Sequence, residues 1–473
     1  MQSKEPAMYT FEFIDIPLLS LGAVFKLVEH YATLFGASPW AWKMQLPFLQ
    51  LLGDMGGLPR AISYLLVECF GENFSKGQDF FQTISSKAFF PIFTRVAESI
   101  EKKYGLQGFT LKNKEAALQV LSHAIRNISV TRDVVLGNVV IDQMEQDGHI
   151  FLHQVGTNYY FRMPFLFLYI YNQYLSIIPH ELAVVAFNHD NKVSWQDWES
   201  FNAVFQVFMN NFFFYTKGKR DMTLGNFYYK ADGNEETKNL LVELDPLEVV
   251  HKDTGEVIAW DSCRYLFLNG KSAEFGDTVL ILDAEKQSAQ KYFKREVNKI
   301  IVSGQQKWDY NGEDFTIKQA KNEHEKALET AEREGLPASC GLITVIFTTQ
   351  RLPKEKIESI PKDILVIHQG NFKEYYGPFA TRAAFSIAHS LNPNFADIQH
   401  LQILEGVGEE TAKKIAIERR ERPFTSVDDL CSRVKRAKKE KLTRQLTFFP
   451  FTSKRLLLPF EGYTRQKEEK KKL

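Results

Sequence analysis

The sequence predicts a multidomain α/β protein with a helical region, a smaller helix-and-hairpin unit, an α/β domain and a helical hairpin near the C-terminus. The chain has 473 residues, which is too long for one compact core. Apolar residues recur at helical spacing through residues 10–125, and short strand-like runs recur between Leu240 and His368. Two short amphipathic segments then meet at Gly406-Val407-Gly408. These observations together predict the fold class.

The composition allows each unit to bury a core, because hydrophobic residues make up 44% of the chain and charged residues 25%. The 39 phenylalanines predict aromatic packing between helices or behind a sheet. The formal net charge is zero, but from Leu401 onward about 19 basic residues accompany about 11 acidic ones, an excess that favours a polyanionic partner. The last residues, Gln466 to Leu473, favour instead a solvated tail.

The cysteine and hydropathy patterns exclude several classes of protein. The four cysteines, at positions 69, 263, 340 and 431, lie far apart in the sequence, so neither a zinc site nor a disulfide framework is expected. No apolar stretch is long enough for a membrane span, and the first residues lack the apolar segment of a secretory signal. The sequence therefore predicts an intracellular protein with no membrane partner.

The first two units are assigned to residues 1–125 and 126–185. The first is predicted to be α-helical, with Pro59 near the start of one helix. In the second, a short helix ends at Gly148, and strand-like alternation follows on both sides of Gly156-Thr157-Asn158. A helix followed by a hairpin suggests a winged helix. Because its short helix carries acidic residues, which suit DNA poorly, we expect this unit to brace neighbouring domains.

Residues 190–392 are predicted to form the α/β domain. A capping box at Ser194 begins a helix with an apolar face. Strands are expected at five places, with helical patterns between several of them, which is typical of an α/β domain. The five strands are 240–242, 265–268, 278–282, 343–348 and 364–368.

Charged residues around one predicted strand form a candidate catalytic site. Asp277 precedes the strand, Asp283, Glu285 and Lys286 lie at its end, and Glu199 lies on the preceding helix. Carboxylates can hold Mg²⁺, and a lysine can position a water against a phosphodiester. The set resembles the PD-(D/E)xK core of restriction-endonuclease-like proteins. That resemblance implies that Asp277, Asp283 and Glu285 bind the metal, that Lys286 assists the water and that Glu199 supports the site.

The spacing departs from that motif by one residue. Neither Asp283 nor Glu285 stands two positions before Lys286, and neighbouring side chains on a strand point to opposite faces. A β-bulge could restore the alignment. The alternative is that these are ordinary charged residues at the end of a strand, and the sequence leaves both interpretations open.

A broader resemblance covers most of residues 10–390. Asp277, Lys286-Gln287-Ser288, Asn322 to Ala327, the strand GLITVIFTT and Asn371 to Ala380 resemble Crinkler and retrotransposon-hot-spot effector proteins. The resemblance implies an ATPase module of the STAND or AAA type, of which the first unit is a helical remnant, ahead of a restriction-endonuclease-like domain. No GxxxxGK[ST] motif occurs in the chain, so neither ATP hydrolysis nor a bound nucleotide is expected.

The glycine-bounded hairpin lies in the unit assigned to residues 395–445. Glycines at 406 and 408 allow positive φ and close backbone approach, and the helix start that follows offers N–H groups and a favourable dipole to an anion. The pattern Leu-x-x-Leu-x-Gly-Val-Gly-x-x-x-Ala-x-x-Ile resembles the helix-hairpin-helix DNA-binding family. The candidate DNA-binding residues are Gly406, Val407, Gly408, Thr411, Lys413, Lys414, Arg419 and Arg420.

A hairpin of this kind holds the phosphate backbone and does not read bases, so the expected partner is double-stranded DNA with little sequence preference. A hairpin used only for packing is the alternative. The basic run Arg433 to Lys439 either extends the contact, serves nuclear import or is a solvated helix face. Residues 446–473 are predicted to be a basic tail.

The leading hypothesis is a Crinkler-like DNA-binding protein with a degenerate, Mg²⁺-dependent nuclease core. We expect it in the nucleus, or in a host nucleus if it is exported as an effector. The alternatives are a non-catalytic DNA-binding effector or transcription regulator, and a scaffold that binds protein partners through the N-terminal helices.

Overall fold

The computed structural model describes most of the chain outside its two ends and several connecting segments. The described residues are 18–34, 46–70, 89–179, 182, 194–217, 221–252, 260–269, 275–307, 314–383, 392–394, 396, 398–404, 406–435, 437–442, 446 and 448. Apart from Leu446 and Phe448, the predicted basic tail lies outside this set. In these ranges, no helix is both long and apolar enough to cross a membrane.

The N-terminal region is helical, as the apolar spacing predicts. Pro59 is the first residue of its helix, where its missing N–H costs no hydrogen bond. Just before it, Gly57 has a φ of 78°, and a Cβ there would stand 1.9 Å from the carbonyl oxygen of Leu19, so only glycine fits. The helices are α1 (Leu21–Leu34), α2 (Leu46–Asp54), α3 (Pro59–Phe70), α4 (Phe89–Tyr104), α5 (Leu106–Lys112) and α6 (Lys114–Ile125).

The next unit contains the predicted short helix and hairpin. The helix is followed by Gly148, whose φ is 74°, and the hairpin turns at Gly156-Thr157, with Asn158 already in the second strand. An additional small hairpin precedes the helix. The elements are β1 (Val135–Leu136), β2 (Val139–Val140), α7 (Ile141–Gln146), β3 (Leu152–Val155), β4 (Asn158–Phe161) and α8 (Phe165–Leu175).

The acidic residues of α7 are bound within this unit. Arg132 contacts Asp142 at 2.9 Å and Glu145 at 2.8 Å, and its guanidinium lies 4.6 Å from the centre of the Tyr159 ring. The helix therefore presents neutralised acids rather than a basic DNA-binding surface. The winged-helix identity of the unit stays a prediction.

The α/β domain contains all five predicted strands and four, β5, β6, β8 and β11, that the sequence pattern does not predict. Its elements are α9 (Ser194–Lys217), β5 (Asp221–Thr223), α10 (Leu224–Phe227), β6 (Asp232–Gly233), α11 (Glu235–Lys238), β7 (Leu241–Glu243), β8 (Glu248–Lys252), β9 (Tyr265–Asn269), β10 (Thr278–Ala284), α12 (Lys286–Phe293), β11 (Lys299–Lys307), α13 (Ile317–Arg333), β12 (Cys340–Thr348), β13 (Ile364–Ile367) and α14 (Phe372–Tyr376). Two 3₁₀ helices cover Lys354–Ser359 and Gly377–Phe379.

The strands form a mixed sheet of nine in the described residues, with the order β5-β7-β10-β11-β12-β13-β6. β10 runs antiparallel to β11, and β11, β12 and β13 are parallel. β10 also pairs with β9 along its first half and with β7 at its end, and β8 extends the β9 side. The sheet therefore divides around β10.

Helices pack on both faces of this sheet. On one face, Phe201 and Phe205 of α9 belong to the same buried cluster as Leu280 of β10 and Val302 of β11. On the other face, Ala327 of α13 shares a cluster with strand residues of the opposite parity, including Val279, Ile281 and Ile301. This two-face packing explains the continuous apolar runs of β10 and β12.

One hydrophobic cluster extends from Val24 to Ala383, so the first three predicted units share a core rather than having one each. Aromatic rings fill much of it, as the phenylalanine content predicts. The ring of Phe205 lies 5.0 Å from that of Tyr376 and 5.6 Å from that of Phe379, centre to centre.

A buried ion pair joins the N-terminal helices to the end of the α/β domain. Arg382 donates to a carboxylate oxygen of Asp54 at 3.1 Å, and both side chains are at most 1% exposed. The guanidinium also lies 3.7 Å from the centre of the Phe165 ring. Burial raises the pKa of Asp54 to about 6, although the charge of Arg382 and a hydrogen bond from Gln50 act in the opposite direction.

The C-terminal unit has its own apolar core. Its helices are α15 (Ile398–Ile403), α16 (Glu409–Glu421), α17 (Val427–Arg433) and α18 (Lys439–Leu442). Leu401, Val407, Ile415 and Leu430 are buried in this core together with Leu446 and Phe448. The unit therefore continues past the predicted boundary at residue 445, because two residues assigned to the tail complete its core.

The ion pair predicts a large and selective loss of stability. Asp54→Ala removes the carboxylate that faces a buried guanidinium, so we expect the free energy of unfolding to fall by about 3–5 kcal/mol. The control is Glu68→Ala, which removes the half-exposed pair between Glu68 and Arg95 at 2.6 Å and should cost less than about 1 kcal/mol. Urea unfolding measures both, and equal losses would contradict the prediction.

Candidate nuclease site and nucleic-acid interface

Asp277 lies where the first strand of an antiparallel pair begins. Thr278 of β10 is opposite Gly304 of β11, and this is the last residue pair between the two strands. Asp277 therefore lies beside the final residues of β11. Its N–H donates to the carbonyl of Gly304 at 2.9 Å, and one carboxylate oxygen accepts from the N–H of Gln306 at 2.5 Å. The pairing of the two strands therefore fixes the position of this carboxylate.

Glu199, on α9, lies near Asp277. Burial, and after it the negative charge of Asp277, raises the pKa of Glu199 to about 8, against the opposing charge of Lys307. Burial also raises the pKa of Asp277, while the N–H of Gln306 and the charge of Lys307 lower it and the charge of Glu323 raises it. The negative charge of Asp277 thus disfavours the ionisation of Glu199.

A lysine and a second helix complete this cluster. Lys307, the last residue of β11, places its ammonium 3.0 Å from a carboxylate oxygen of Glu323 on α13. Lys326 contacts the other oxygen of Glu323 at 3.2 Å. We call Glu199, Asp277, Lys307 and Glu323 the β10–β11 site.

The other predicted catalytic residues lie at the opposite end of β10, so the predicted grouping is wrong. Six residues of extended strand separate Asp277 from Asp283, a distance of about 20 Å. Asp283 pairs with Lys299 at 3.2 Å. Glu285 caps α12 by accepting from the N–H groups of Gln287 and Ser288.

The remaining member of the predicted triplet, Lys286, is the exposed first residue of α12. A helix begins there, so no β-bulge aligns Lys286 with the two acids. In the structure Glu199 and Asp277 lie near each other, and the lysine beside them is Lys307 rather than Lys286.

Sequence reasoning missed Lys307 because it missed β11. The strand has only three consecutive aliphatic residues, Ile300 to Val302, before the polar run Ser303 to Lys307. Within that run, Gln305-Gln306-Lys307 has the spacing of an acid-x-lysine triplet with glutamine in place of the acid. This polar-x-lysine pattern, one strand after Asp277, was the available signal.

The β10–β11 site suits a divalent cation only in a limited way. Among the described residues no group of three or more His, Cys, Asp or Glu side chains could hold a metal ion. Mg²⁺ commonly takes one or two carboxylates and completes its shell with water and substrate phosphate. Glu199 and Asp277 meet that requirement, and a cation between them would offset their repulsion.

The C-terminal hairpin has the geometry of an anion site built from the main chain. The N–H of Val407 donates to the carbonyl of Leu404 at 3.0 Å, and Gly406 has a φ of 83°, which favours glycine. Gly408 is the N-cap of α16 and offers no side chain to the N–H groups of the first helical turn. Its φ is −83°, and a Cβ there would meet nothing within 4 Å. The fold therefore does not require glycine at 408, whereas close approach of a ligand does.

The predicted DNA-binding side chains divide into exposed and structural groups. Lys414 and Arg420 are exposed on α16, and Lys413 is exposed but pairs with Glu409 at 2.7 Å. Arg419 donates to the carbonyl oxygens of Pro393 and Ala396. Val407 and Thr411 are buried, at 5% and 7% exposure. Of the predicted set, the backbone at the exposed Gly406 and Gly408 and the exposed basic side chains are therefore placed to meet a ligand.

Comparison with known proteins agrees with the C-terminal geometry. The family described as the helix-hairpin-helix motif matches residues 398–449, so the predicted motif is confirmed. A segment of 82 residues is 38% identical to Crinkler effector protein 108 of Phytophthora sojae. That segment is 17% of this chain and 10% of the Crinkler protein. No solved structure matches the chain.

These matches support a Crinkler resemblance over part of the chain only. They leave the restriction-endonuclease-like core and the winged helix as predictions. A mixed α/β fold followed by a helix-hairpin-helix motif is what the structure and the motif match together establish.

The raised pKa of Glu199 predicts a pH-dependent stability. Because its folded pKa of about 8 exceeds the ordinary 4.5, its contribution is complete below about pH 4.5 and is lost as the pH rises through about 8. Glu199→Gln is neutral throughout, so its melting temperature relative to the parent should rise between about pH 5 and about pH 8 in EDTA.

The matched control for this measurement is Glu329→Gln, which changes an exposed glutamate on α13. It should show no such trend. If the difference in melting temperature between Glu199→Gln and the parent did not depend on pH, folding would not raise the pKa of Glu199.

Proposed function

We propose that this protein binds double-stranded DNA through the phosphate backbone, using its C-terminal helix-hairpin-helix unit. The observation that supports this best is Gly408, a glycine that the fold does not need at a helix start with no side-chain cap. Removing the side chain leaves main-chain N–H groups open to a phosphate oxygen, and the dipole of the 13-residue α16 favours the negative charge.

Charges around this hairpin partly oppose each other. Glu409 and Glu410 lie in the first turn of α16, and Lys413 contacts both, at 2.7 and 3.7 Å. The lysine offsets one of the two negative charges, so these three residues leave a net charge of −1. Lys414 and Arg420 then provide the positive charge on this helix, and contact with phosphates alone carries little sequence preference.

A second hairpin repeats the hydrogen-bond pattern of the first. The N–H of Ala437 donates to the carbonyl of Val434 at 2.9 Å, as that of Val407 does to Leu404 thirty residues earlier. Leu442 then donates to Lys438, as Ala412 does to Gly408. Where the first hairpin has glycine and acids, the second has exposed Lys435 and Lys438. We propose that it adds charge to the interface, while the first supplies main-chain donors.

We further propose that the α/β domain is a nuclease core, because the β10–β11 site brings two carboxylates and a lysine together. Glu199 and Asp277 would hold Mg²⁺, which when bound supplies Lewis-acid stabilisation of a phosphodiester. Lys307 would orient the attacking water and offset the charge that develops on the phosphate. Gln305, uncharged where the resembled motif has an acid, leaves the site with a weakened hold on the cation.

We also propose that the protein is an effector that acts on DNA in the nucleus; the partial likeness to a Crinkler effector protein supports the effector role, and the helix-hairpin-helix motif supports the contact with DNA. If the nuclease core does not function, DNA binding alone would suit a regulator. The N-terminal helices would then serve protein partners.

The hairpin predicts that a side chain at 408 blocks DNA. Gly408→Leu should leave the circular dichroism spectrum unchanged and weaken binding to a short duplex about tenfold, equivalent to about 1.4 kcal/mol. The control is Gly108→Leu on α5, another exposed glycine whose Cβ would meet nothing within 4 Å, and it should bind as the parent does.

The contrary result would be that Gly408→Leu binds the duplex as tightly as the parent, and that only the double variant Lys414→Ala/Arg420→Ala binds it more weakly. Side-chain charge rather than main-chain donors would then hold the DNA. Fluorescence anisotropy at two salt concentrations distinguishes these cases.

The nuclease core predicts that two aspartates at opposite ends of β10 behave differently. Asp277→Asn should abolish Mg²⁺-dependent nicking of a supercoiled plasmid, because it removes a carboxylate of the β10–β11 site. Asp283→Asn, which removes the carboxylate that contacts Lys299 and Cys263, should nick at the parental rate. If Asp283→Asn lost nicking activity and Asp277→Asn kept it, the result would instead favour the site that the sequence pattern predicts.

A further inference from the structure

Glu323 occupies a fixed position on the sheet side of α13. Thr316 and Gln319 form a capping box that sets where the helix begins. Ala320 and Ala327, one turn to either side of Glu323, are fully buried, so Glu323 lies on the helix face that packs on the sheet. Its side chain is only 15% exposed.

Both carboxylate oxygens of Glu323 are engaged. One accepts from Lys307 at 3.0 Å and the other from Lys326 at 3.2 Å. The side chain of Lys326 is 61% exposed, whereas that of Lys307 is 36% exposed and extends from the end of β11. Helix α13 thus holds the less exposed lysine, and with Lys326 the group carries a net charge of +1.

The strand itself gives Lys307 no acidic partner. Gln305 and Lys307 point to the same face of β11, because alternate residues on a strand share a face. Gln305 carries no charge, so a lysine two positions later has no carboxylate on its own strand to direct it. Glu323 is the carboxylate that α13 brings to it.

We propose that Glu323 is a positioning residue of the β10–β11 site, which holds the Lys307 ammonium beside Asp277. The proposal rests on the proposed nuclease function. Glu323 acts through Lys307 and does not itself hold the cation.

Single-turnover nicking by four variants of the full chain tests this role. Glu323→Gln should slow nicking about 10- to 100-fold, as loss of a supporting partner commonly does, and Glu323→Asp should restore part of the rate. Lys307→Met should be at least as slow. Because Glu323 acts through Lys307, the double variant Glu323→Gln/Lys307→Met should be no slower than Lys307→Met alone.

Two measurements other than nicking separate positioning from folding and from metal binding. Glu323→Gln should bind a short duplex with the parental Kd, and Mg²⁺ should raise its melting temperature as much as the parent's. Glu325→Gln, an exposed neighbour on the same helix, is the matched control and should leave every readout unchanged.

Each outcome bears on the proposal. Parental nicking by Glu323→Gln, or a double variant much slower than Lys307→Met, overturns the positioning role while leaving the nuclease function in place. Loss of the Mg²⁺-induced shift in Glu323→Gln also overturns it, because Glu323 would then hold the cation. A parent chain that does not nick DNA overturns the nuclease function and the positioning role together.

Discussion

The antiparallel pairing of β10 with β11 is the constraint on which the candidate catalytic site depends. It places the start of one strand beside the end of the other, so Asp277 and Lys307, thirty residues apart in the sequence, become neighbours. The apolar residues between them pack into cores on both faces of the sheet and hold the two strands in place. Helices α9 and α13 then deliver Glu199 and Glu323 to that same end of the pair.

Burial of charge is concentrated at two places with different consequences. At the β10–β11 site, carboxyl groups with raised pKa values stand near a lysine, an arrangement that is costly without a ligand and therefore typical of a functional site. Asp54 and Arg382 are buried more deeply but pair with each other, and their contact joins the N-terminal helices to the α/β domain. We interpret the first cluster as chemical and the second as structural.

The C-terminal unit contains two hairpins with similar backbones and different surfaces. Its two hairpins share a hydrogen-bond pattern and one apolar core. The first omits a side chain where the fold would accept one, and the second places lysines on its surface. Main-chain donors and charge are thus supplied by separate turns of a small domain. The match to the helix-hairpin-helix motif covers both turns.

The sequence by itself determined the helical N-terminal region, five strands of the sheet and the hairpin at Gly406-Val407-Gly408, because local periodicity and turn chemistry act over a few residues. It also indicated Glu199 and Asp277. It did not reveal β11, whose second half is polar, and so it grouped Lys286 with these acids, whereas the structure places Lys307 near them. Only tertiary structure decided which charged residues meet, since strand pairing and helix packing join positions whose separation along the chain carries no periodic signal.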